Sequence, residues 1–427
     1  MTNFQIPNPA NIADGFTIRW NATTGRFDPV PFELTFDIRN YGAVVGGIVD
    51  CTSAINAAAI AAFPFGGQVF IDRGVWRTNG LITIPGGVTL TGPQIGFNLG
   101  PFEFSPALSL SNVGAMLTRA GTTEANTYKG IWFSLGQQSA AMNLGLYHPF
   151  QVTNTAPPVF YDYTFDAPAN CHFSTVANIY DINSYRFYRA TGENGLTLSN
   201  ITGYPLSRCI TLGRVADVAR INNIHWIPTV NGNMGPTLFD WVKSNRTDFV
   251  IDGPEQFMIS NYFGYGGSNG FEIWDEDGDS FRNVYGDLVN GGLDIYQRCI
   301  RVREPNGLTA KGFHMTNVGL VPSEPTSVGV QFLDTHVPAT PDETPIIYAT
   351  NVSFHGPVAG YDRAVWLVTN SHGIYSQTQG SMQNFTNEGM LVQSATAKGR
   401  LLGVDMPLGS TRTGGAGTIV DQFGFDL

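Results

Sequence analysis

One short phrase constrains this chain more than anything else in it: apolar residue, any residue, asparagine, apolar residue. It stands at Val176-Ala177-Asn178-Ile179, Leu198-Ser199-Asn200-Ile201 and Ile221-Asn222-Asn223-Ile224. It returns around Asn261, Asn283, Asn317, Asn351 and Asn384, with a weaker early copy at Asn143. Successive asparagines from Asn178 onward are separated by 22, 23, 38, 22, 34, 34 and 33 residues. A period that falls back to about 22 and otherwise lengthens describes a minimal coil carrying loop insertions. Parallel coils of that length form a β-helix, in which each rung buries its apolar face only against its neighbours. Asparagine suits the bend between strands because it tolerates the left-handed conformation and bonds nearby backbone. Stacked asparagines can then satisfy one another along the axis.

Composition agrees with a solenoid. A single core of 427 residues would normally divide into domains, but a solenoid grows in one dimension and escapes that limit. Fifty Gly, 25 Pro and only 13% charged residues suit an all-β chain rich in turns. The net charge of −11 argues against nucleic acid and anionic membrane as partners, since both demand a basic surface. It also disfavours an acidic polysaccharide globally, while leaving room for a local basic patch to hold one. No run is long enough to insert in a membrane. The opening Met1-Thr2-Asn3-Phe4-Gln5-Ile6-Pro7 lacks the basic and apolar regions of a secretory signal, so synthesis in a cytoplasm without that export route is expected. Cys51, Cys171, Cys209 and Cys299 show no metal spacing and are expected to be buried free thiols, with Cys209 and Cys299 three rungs apart.

Residues 36–92 carry a resemblance. The run Phe36-Asp37-Ile38-Arg39-Asn40-Tyr41-Gly42-Ala43 is followed by Asp50-Cys51-Thr52 and an Ala-rich stretch to Ala62. Gly66-Gly67-Gln68-Val69-Phe70-Ile71 and Ile82-Thr83-Ile84-Pro85-Gly86-Gly87-Val88-Thr89-Leu90-Thr91-Gly92 come next. This resembles the entry segment of the pectate-lyase-like β-helix superfamily, in the form shared by many phage tailspikes. The chain has Val45-Gly46-Gly47 and Asp50-Cys51-Thr52 where that family usually has Gly-Asp-Gly and Asp-Asp-Thr, so those family acids are given no role here. The Ala-rich helix, with Asp50 or Thr52 as its N-cap, is expected to close the open end of the solenoid. The expected organisation is an attachment segment over 1–35, a right-handed parallel β-helix over 36–394, and a C-terminal cap or trimer-contact segment over 395–427. Within the first, residues 16–27 alternate and turn like a small hairpin. The resemblance implies a homotrimer on a phage virion, joined to a tail or baseplate adaptor through residues 1–35.

A second strand per rung is expected at triplets with apolar outer members and a solvent-facing middle. Aligned, the middle residues form a column of Thr211, Asp240, Glu272, Arg301, Gln331 and Trp366, and three positions on a second column reads Arg214, Lys243, Asp275, Glu304, Asp334 and Thr369. Stacked carboxylates are what glycoside hydrolysis needs, one to protonate the leaving oxygen and one to activate water or attack the sugar. The candidate catalytic residues are therefore Asp240, Glu272, Asp275, Glu304 and Asp334. Arg301, Arg303 and Gln331 are placed to hold the glycan and Trp366 to face a sugar ring. The acidic turn Asp275-Glu276-Asp277-Gly278-Asp279 does not match a calcium loop, the seven histidines lack paired metal spacing, and no cofactor motif occurs. The expected function is binding and hydrolysis of a bacterial surface polysaccharide such as capsule, exopolysaccharide or O-antigen. A non-catalytic adhesion spike and a polysaccharide lyase, with Arg301 and Arg303 neutralising a uronate, are the alternatives.

Overall fold

The computed structural model describes residues 16–21, 26–31, 34–93, 114–151, 154–192, 194–228, 234–274, 283–304, 309–322, 328–334, 346–355, 366–369, 374–383, 390–392, 398–405, 413–415 and 418–421. From Thr35–Asp37 to Thr418–Asp421 the strands join one continuous sheet in which every pairing is parallel. It coils into a right-handed β-helix. Strands Phe16–Asn21 and Arg26–Pro31 form a separate antiparallel hairpin, as the alternation of that segment suggests. The parallel pairing does not stop at 394. Lys398–Asp405, Thr413–Gly415 and Thr418–Asp421 continue the stack into the segment expected as a cap or trimer contact. Gly403 falls opposite the bend residue Gln379 there, so the asparagine landmark is missing from that rung.

Each regular rung has a long strand bent near its middle and a shorter strand. Thr175–Ile182 and Arg186–Thr191 make one rung, and Asn194–Gly203 and Arg208–Gly213 make the next. The bend is the asparagine. Asn143, Asn178, Asn200, Asn223, Asn261, Asn317 and Asn351 all have φ between 53° and 58°, a left-handed backbone that asparagine adopts at low cost. Their amides form a ladder: Asn178 donates to Asn143 (3.0 Å), Asn200 to Asn178 (3.0 Å) and Asn223 to Asn200 (2.9 Å). The line then jogs, Asn261 donating to Asn222 instead (2.9 Å).

Two positions of the expected ladder need correction. Asn283 is the first residue of the strand Asn283–Glu304, and the bend belongs to Asn290 (φ 55°), which accepts from Asn317 at 3.2 Å. Asn290 escapes the sequence phrase because Gly291, not an apolar residue, follows it. Asn384 lies outside the described residues, and Gln379 (φ 61°) occupies the bend opposite Asn351.

Inside, equivalent residues stack rung upon rung. Phe133, Phe165, Tyr188, Ile210, Phe249, Phe271, Ile300, Val330 and Trp366 follow one another in register, all buried. Rings of Phe133 and Phe165 stack at 4.9 Å and those of Phe249 and Phe271 at 4.6 Å. Trp132 and Trp226 are buried in the packing, and the four cysteines are buried thiols outside any disulfide. Helix α1 (Thr52–Ala62) lays Ala54, Ile55, Ala58, Ala59 and Ala62 over the first rungs, covering strand edges that would otherwise pair with another chain. Its formal N-cap is Cys51, but the Asp50 carboxylate accepts from Thr52 N (3.0 Å) and Thr52 Oγ1 (2.7 Å) and does the capping one residue early. His148 lies in the core. It is fully buried between Trp132 and Tyr161, and neither ring nitrogen meets a hydrogen-bond partner among the described residues.

Candidate functional site

The shorter strands build one flat outer face. In register, its central column reads Asp166, Arg189, Thr211, Val250, Glu272, Arg301, Gln331 and Leu367. Thr211, Glu272, Arg301 and Gln331 therefore share the register that the alternation of their triplets gave them, but Thr211 and Glu272 are buried and do not face solvent as expected. Asp240 and Trp366 do not share that register. Asp240 is an exposed residue of helix α2 (Pro236–Asn245), inserted before the strand Thr247–Asp252, whose outward residue is Val250. Pro236 at the helix start and Leu238 and Val242 one turn apart on its buried side fix that segment as helix, which a three-residue alternation cannot reveal. The real strand hid itself because its outward residue, Val250, is apolar. Trp366 sits one place earlier in register than expected, opposite Val330, so its ring points into the core and Nε1 donates to Gln377 Oε1 at 2.8 Å. It cannot face a sugar. Leu367 takes the register position opposite Gln331.

The second column divides similarly. Glu304 and Asp334 are register partners on neighbouring strands, as the alignment expected. Lys243 lies on α2, Thr369 pairs one place early with Leu333, and Asp275 lies outside the described residues. Arg214 follows its strand directly with a left-handed φ of 51°.

Glu272 is the centre of the lower half of the face. Its carboxylate is nearly buried and ion-paired to Arg303 Nε at 3.0 Å and Arg301 Nη1 at 3.4 Å, both one rung on. Burial, with Arg303 and Arg298 adding like charge, pulls the Arg301 guanidinium down to about 10. Its Nε has no hydrogen-bond partner among the described residues.

The upper half is a groove that the sequence columns missed. A cavity of 360 Å³ is lined by Tyr163, Arg186, Arg189, Arg208, Thr211, Arg214 and Asp252, among others. Arg189 Nε binds the buried Asp166 carboxylate at 2.6 Å. The Tyr163 ring lies between two guanidinium groups, Arg189 at 4.9 Å and Arg186 at 5.4 Å, and its hydroxyl bonds Thr211 Oγ1 at 2.8 Å. Arg186 also covers Phe160 and Tyr185, and the aromatic rim runs on from Phe160 through Tyr185 to Trp241 on α2, with centroid separations of 5.3 and 6.3 Å. Phe160 is half exposed. Such forks grip carboxylate or sulfate oxygens in pairs, and aromatic faces take the apolar side of a sugar ring. A signal for this half was present in Phe165-Asp166-Ala167 and Tyr188-Arg189-Ala190, which share the triplet form used below them.

Behind this face lies a buried polar knot. Arg246 and Asp248, both fully buried, pair at 2.7 Å. The hydroxyls of Tyr262 and Tyr296 also donate to Asp248, Cys209 Sγ reaches it at 3.4 Å, and the Arg246 guanidinium stacks 4.2 Å from the Tyr204 ring. Arg208 and Cys209 are adjacent, as are Thr247 and Asp248, so the knot fixes the strands carrying the groove from inside. Among the described residues no three His, Cys, Asp or Glu side chains group as ligands for a metal ion, and no helix is long and apolar enough to cross a membrane.

No family model and no curated protein sequence matches the chain. Solved structures do. The tailspike protein of E. coli bacteriophage HK620, in a mutant form, is 8% identical with a TM-score of 0.55, covering 97% of this chain and 71% of that one. A second mutant of it, in complex with a pentasaccharide, is 7% identical with a TM-score of 0.55, covering 97% of this chain and 72% of its own. The mannuronan C-5 epimerase AlgE6 A-module of Azotobacter vinelandii is 12% identical with a TM-score of 0.51, covering 90% of this chain and 99% of that one. At these identities the likeness is one of backbone, and it agrees with the parallel register and the ladder: the chain has the right-handed β-helix fold found in phage tailspikes and in this epimerase.

Proposed function

We propose that the chain is the receptor-binding spike of a phage tail, which holds a bacterial surface polysaccharide along the arginine-lined face and hydrolyses it. The observation that carries the reading is the groove itself: a rigid β-face joining guanidinium forks, an aromatic rim and outward carboxylates. Its volume lies within the ~300–1,000 Å³ typical of small-ligand pockets, and it opens along a face that would accept a chain of sugars. The fold's presence in a tailspike bound to a pentasaccharide supports the same reading. Capsule, exopolysaccharide and O-antigen are the substrate candidates. Assembly as a homotrimer and attachment to a tail or baseplate adaptor through residues 1–35 complete the proposal. Exposed Ile48, Ile60, Phe63 and Phe65 near the N-terminal cap supply apolar surface for such contacts.

For hydrolysis we assign the pair to Asp252 and Glu272. They face outward on adjacent strands, offset by two residues, which puts their Cα atoms about 8 Å apart. Asp252 opens onto the groove and serves as acid, while Glu272, held by two arginines, serves as base. Glu304 and Asp334, adjacent at the lower edge, are the alternative pair. Incubation with host polysaccharide, read by chain length of the products, tests this. Asp252→Asn and Glu272→Gln should each lower turnover by about 10²–10⁴ while glycan binding persists. Wild-type cleavage by both variants removes this pair. One observation favours a second reading, adhesion without cleavage: Glu272 and Asp166 are both engaged by arginines and act as counter-ions. Wild-type protein that binds host glycan and never shortens it would establish that reading.

A further inference from the structure

A face other than the arginine-lined one carries a cluster that the function above does not use. It lies on the first half of the long strands, ahead of the asparagine bend, where Met258, Asp287, His314 and Tyr348 follow one another in register. Tyr285 stands beside them, two places before Asp287 on the same strand and opposite Gly312. Met258, Tyr285, His314 and Tyr348 are all exposed. Their contacts are specific. The Tyr285 ring leans over Gly312, where a side chain would start 3.1 Å from Cδ1 and 3.6 Å from Cε1, so glycine is what admits the ring. Nε2 of His314 lies 4.0 Å from the same point. The Asp287 carboxylate lies 3.3 Å from His314 Nδ1, which favours the tautomer with its proton on Nδ1 and leaves Nε2 to accept a hydrogen bond. Tyr348 packs against the imidazole from the next strand, with ring centroids 5.3 Å apart.

We propose that this strip is a second saccharide site, one that takes uncharged sugar units, with Tyr285 and Tyr348 against sugar rings and His314 Nε2 accepting from a sugar hydroxyl. It goes beyond the arginine-lined face and does not depend on it. A tyrosine ring seated on the sheet with its remaining surface in water offers the apolar area that the C–H side of a sugar covers. Tyr285 and Tyr348 lie two rungs apart, about 9.6 Å along the axis, so an oligosaccharide running with the solenoid meets both. Two places nearer the bend the same strands carry Ser260, Val289, Thr316 and Thr350, so hydroxyls border the rings. The charge of the strip suits a neutral ligand: among the described outward residues on these four strands Asp287 is the one carboxylate, it faces a histidine, and there is no lysine or arginine. A protein partner would bury Asp287 and Ser260 in an interface core, where Asp and Ser are depleted, whereas a sugar brings hydroxyls of its own.

Met258 supplies the reporter. The full chain, with its nine methionines labelled at the 13C methyl group, is titrated with short neutral oligosaccharides cut from dextran, mannan, galactan and bacterial O-antigens, and with oligogalacturonate as the acidic reference. The Met258 signal is assigned by its absence from Met258→Leu. It should shift saturably with neutral oligosaccharide and not with the acidic one. Tyr285→Ala should raise the concentration needed about tenfold, the factor that covering one ring face carries. Gly312→Ala should act in the same direction, because its methyl group moves the Tyr285 ring while every proposed contact group remains. Thermal unfolding checks each variant; should Tyr285→Ala unfold, His314→Ala and Tyr348→Ala, both at exposed positions, decide. A Met258 signal that no neutral oligosaccharide moves would overturn the proposal, as would a shift unaffected by all these substitutions. A signal that moves with protein concentration and not with sugar would overturn it too, giving the strip to a contact between copies. Cleavage is read separately, from the chain length of host polysaccharide products. A Met258 shift in a protein that never shortens host glycan would overturn hydrolysis on the arginine-lined face and leave this site in place, and cleavage without the shift would do the reverse.

Discussion

Replacing Asp248 with asparagine asks whether the buried knot holds the groove wall in position. Asp248 and Arg246 have no exposed surface, and the carboxylate accepts from Arg246 Nε at 2.7 Å, from two tyrosine hydroxyls and from Cys209 Sγ at 3.4 Å. Asparagine keeps the shape, removes the charge, and turns one acceptor into a donor facing donors. Arg246 then remains buried without its counter-ion. Breaking a buried pair by removing one member costs about 3–5 kcal/mol, because a charge is stranded in low dielectric. That is a large share of the ~5–15 kcal/mol that holds a typical domain folded. Because a solenoid can open locally, native-state hydrogen exchange is the suitable assay, read on Arg208–Gly213 and Thr247–Asp252. Protection there should fall by the full amount, while Ile82–Ile84, several rungs away, should lose much less. Arg246→Met should cost a similar amount alone. The double variant should cost less than the two singles together by at least about 1 kcal/mol, since their shared interaction is lost once. A loss under about 1 kcal/mol for Asp248→Asn, or simple additivity of the two singles, would refute the argument.

Three further outcomes follow from particular contacts. Asn200→Ala removes a donor to Asn178 and an acceptor for Asn223 at a left-handed position, so it should cost about 2–3 kcal/mol in urea unfolding, the two exposed hydrogen bonds and the backbone strain contributing comparably; no measurable loss would remove the ladder from the list of stabilising features. Burial raises the Asp181 carboxyl to about 7 although Ser184 bonds it. The folded state then holds its proton more tightly than the unfolded chain, so wild-type stability should fall as pH rises from about 4 to about 7, and Asp181→Asn should flatten that slope in pH-dependent melting. His148 works in the opposite direction: burial and then the Arg119 charge push its pKa well below the ordinary value, so stability is present above about 6.5 and is lost as pH falls below it, and His148→Phe should reduce the loss. For assembly, sedimentation should give a trimer at micromolar concentration, and Ile60→Asp combined with Phe63→Asp should shift it toward monomer; a wild-type monomer that cleaves glycan fully would remove the trimer from the proposal.

The architecture was legible because a solenoid repeats its local rules. Asn178, Asn200 and Asn223 each report the same bend, and their apolar flanks the same stacked interior, so the rung count over 171–274 follows from spacing alone. The capping helix was equally plain, being short, Ala-rich and placed before the first rung. What went astray did so where a rung departs from the rule. At Asn290 the following glycine broke the phrase, and near 240 an inserted helix imitated the strand alternation. Glu272 and Arg301 were found because their triplets are regular; Trp366 was misplaced by one residue because apolar neighbours on both sides make its register ambiguous.

By itself, then, the sequence determined that the chain is a parallel coil, where most of its bends fall, and that Glu272 and Arg301 stand in register on successive strands. Those are local facts, set by backbone preference and by a period of two. Tertiary structure decided which charges meet. Arg186 and Arg189 come from one rung, Arg208 from the next and Asp252 from the one after, and their convergence depends on register between strands up to 66 residues apart in the chain. Loop and helix insertions change that register without changing the local pattern. The physical reason is that strand pairing is cooperative over the whole stack: each rung adopts the alignment that best buries its inward residues on the rung below. Outward residues have no say in that choice, so the site they form can be read only once the core has stacked.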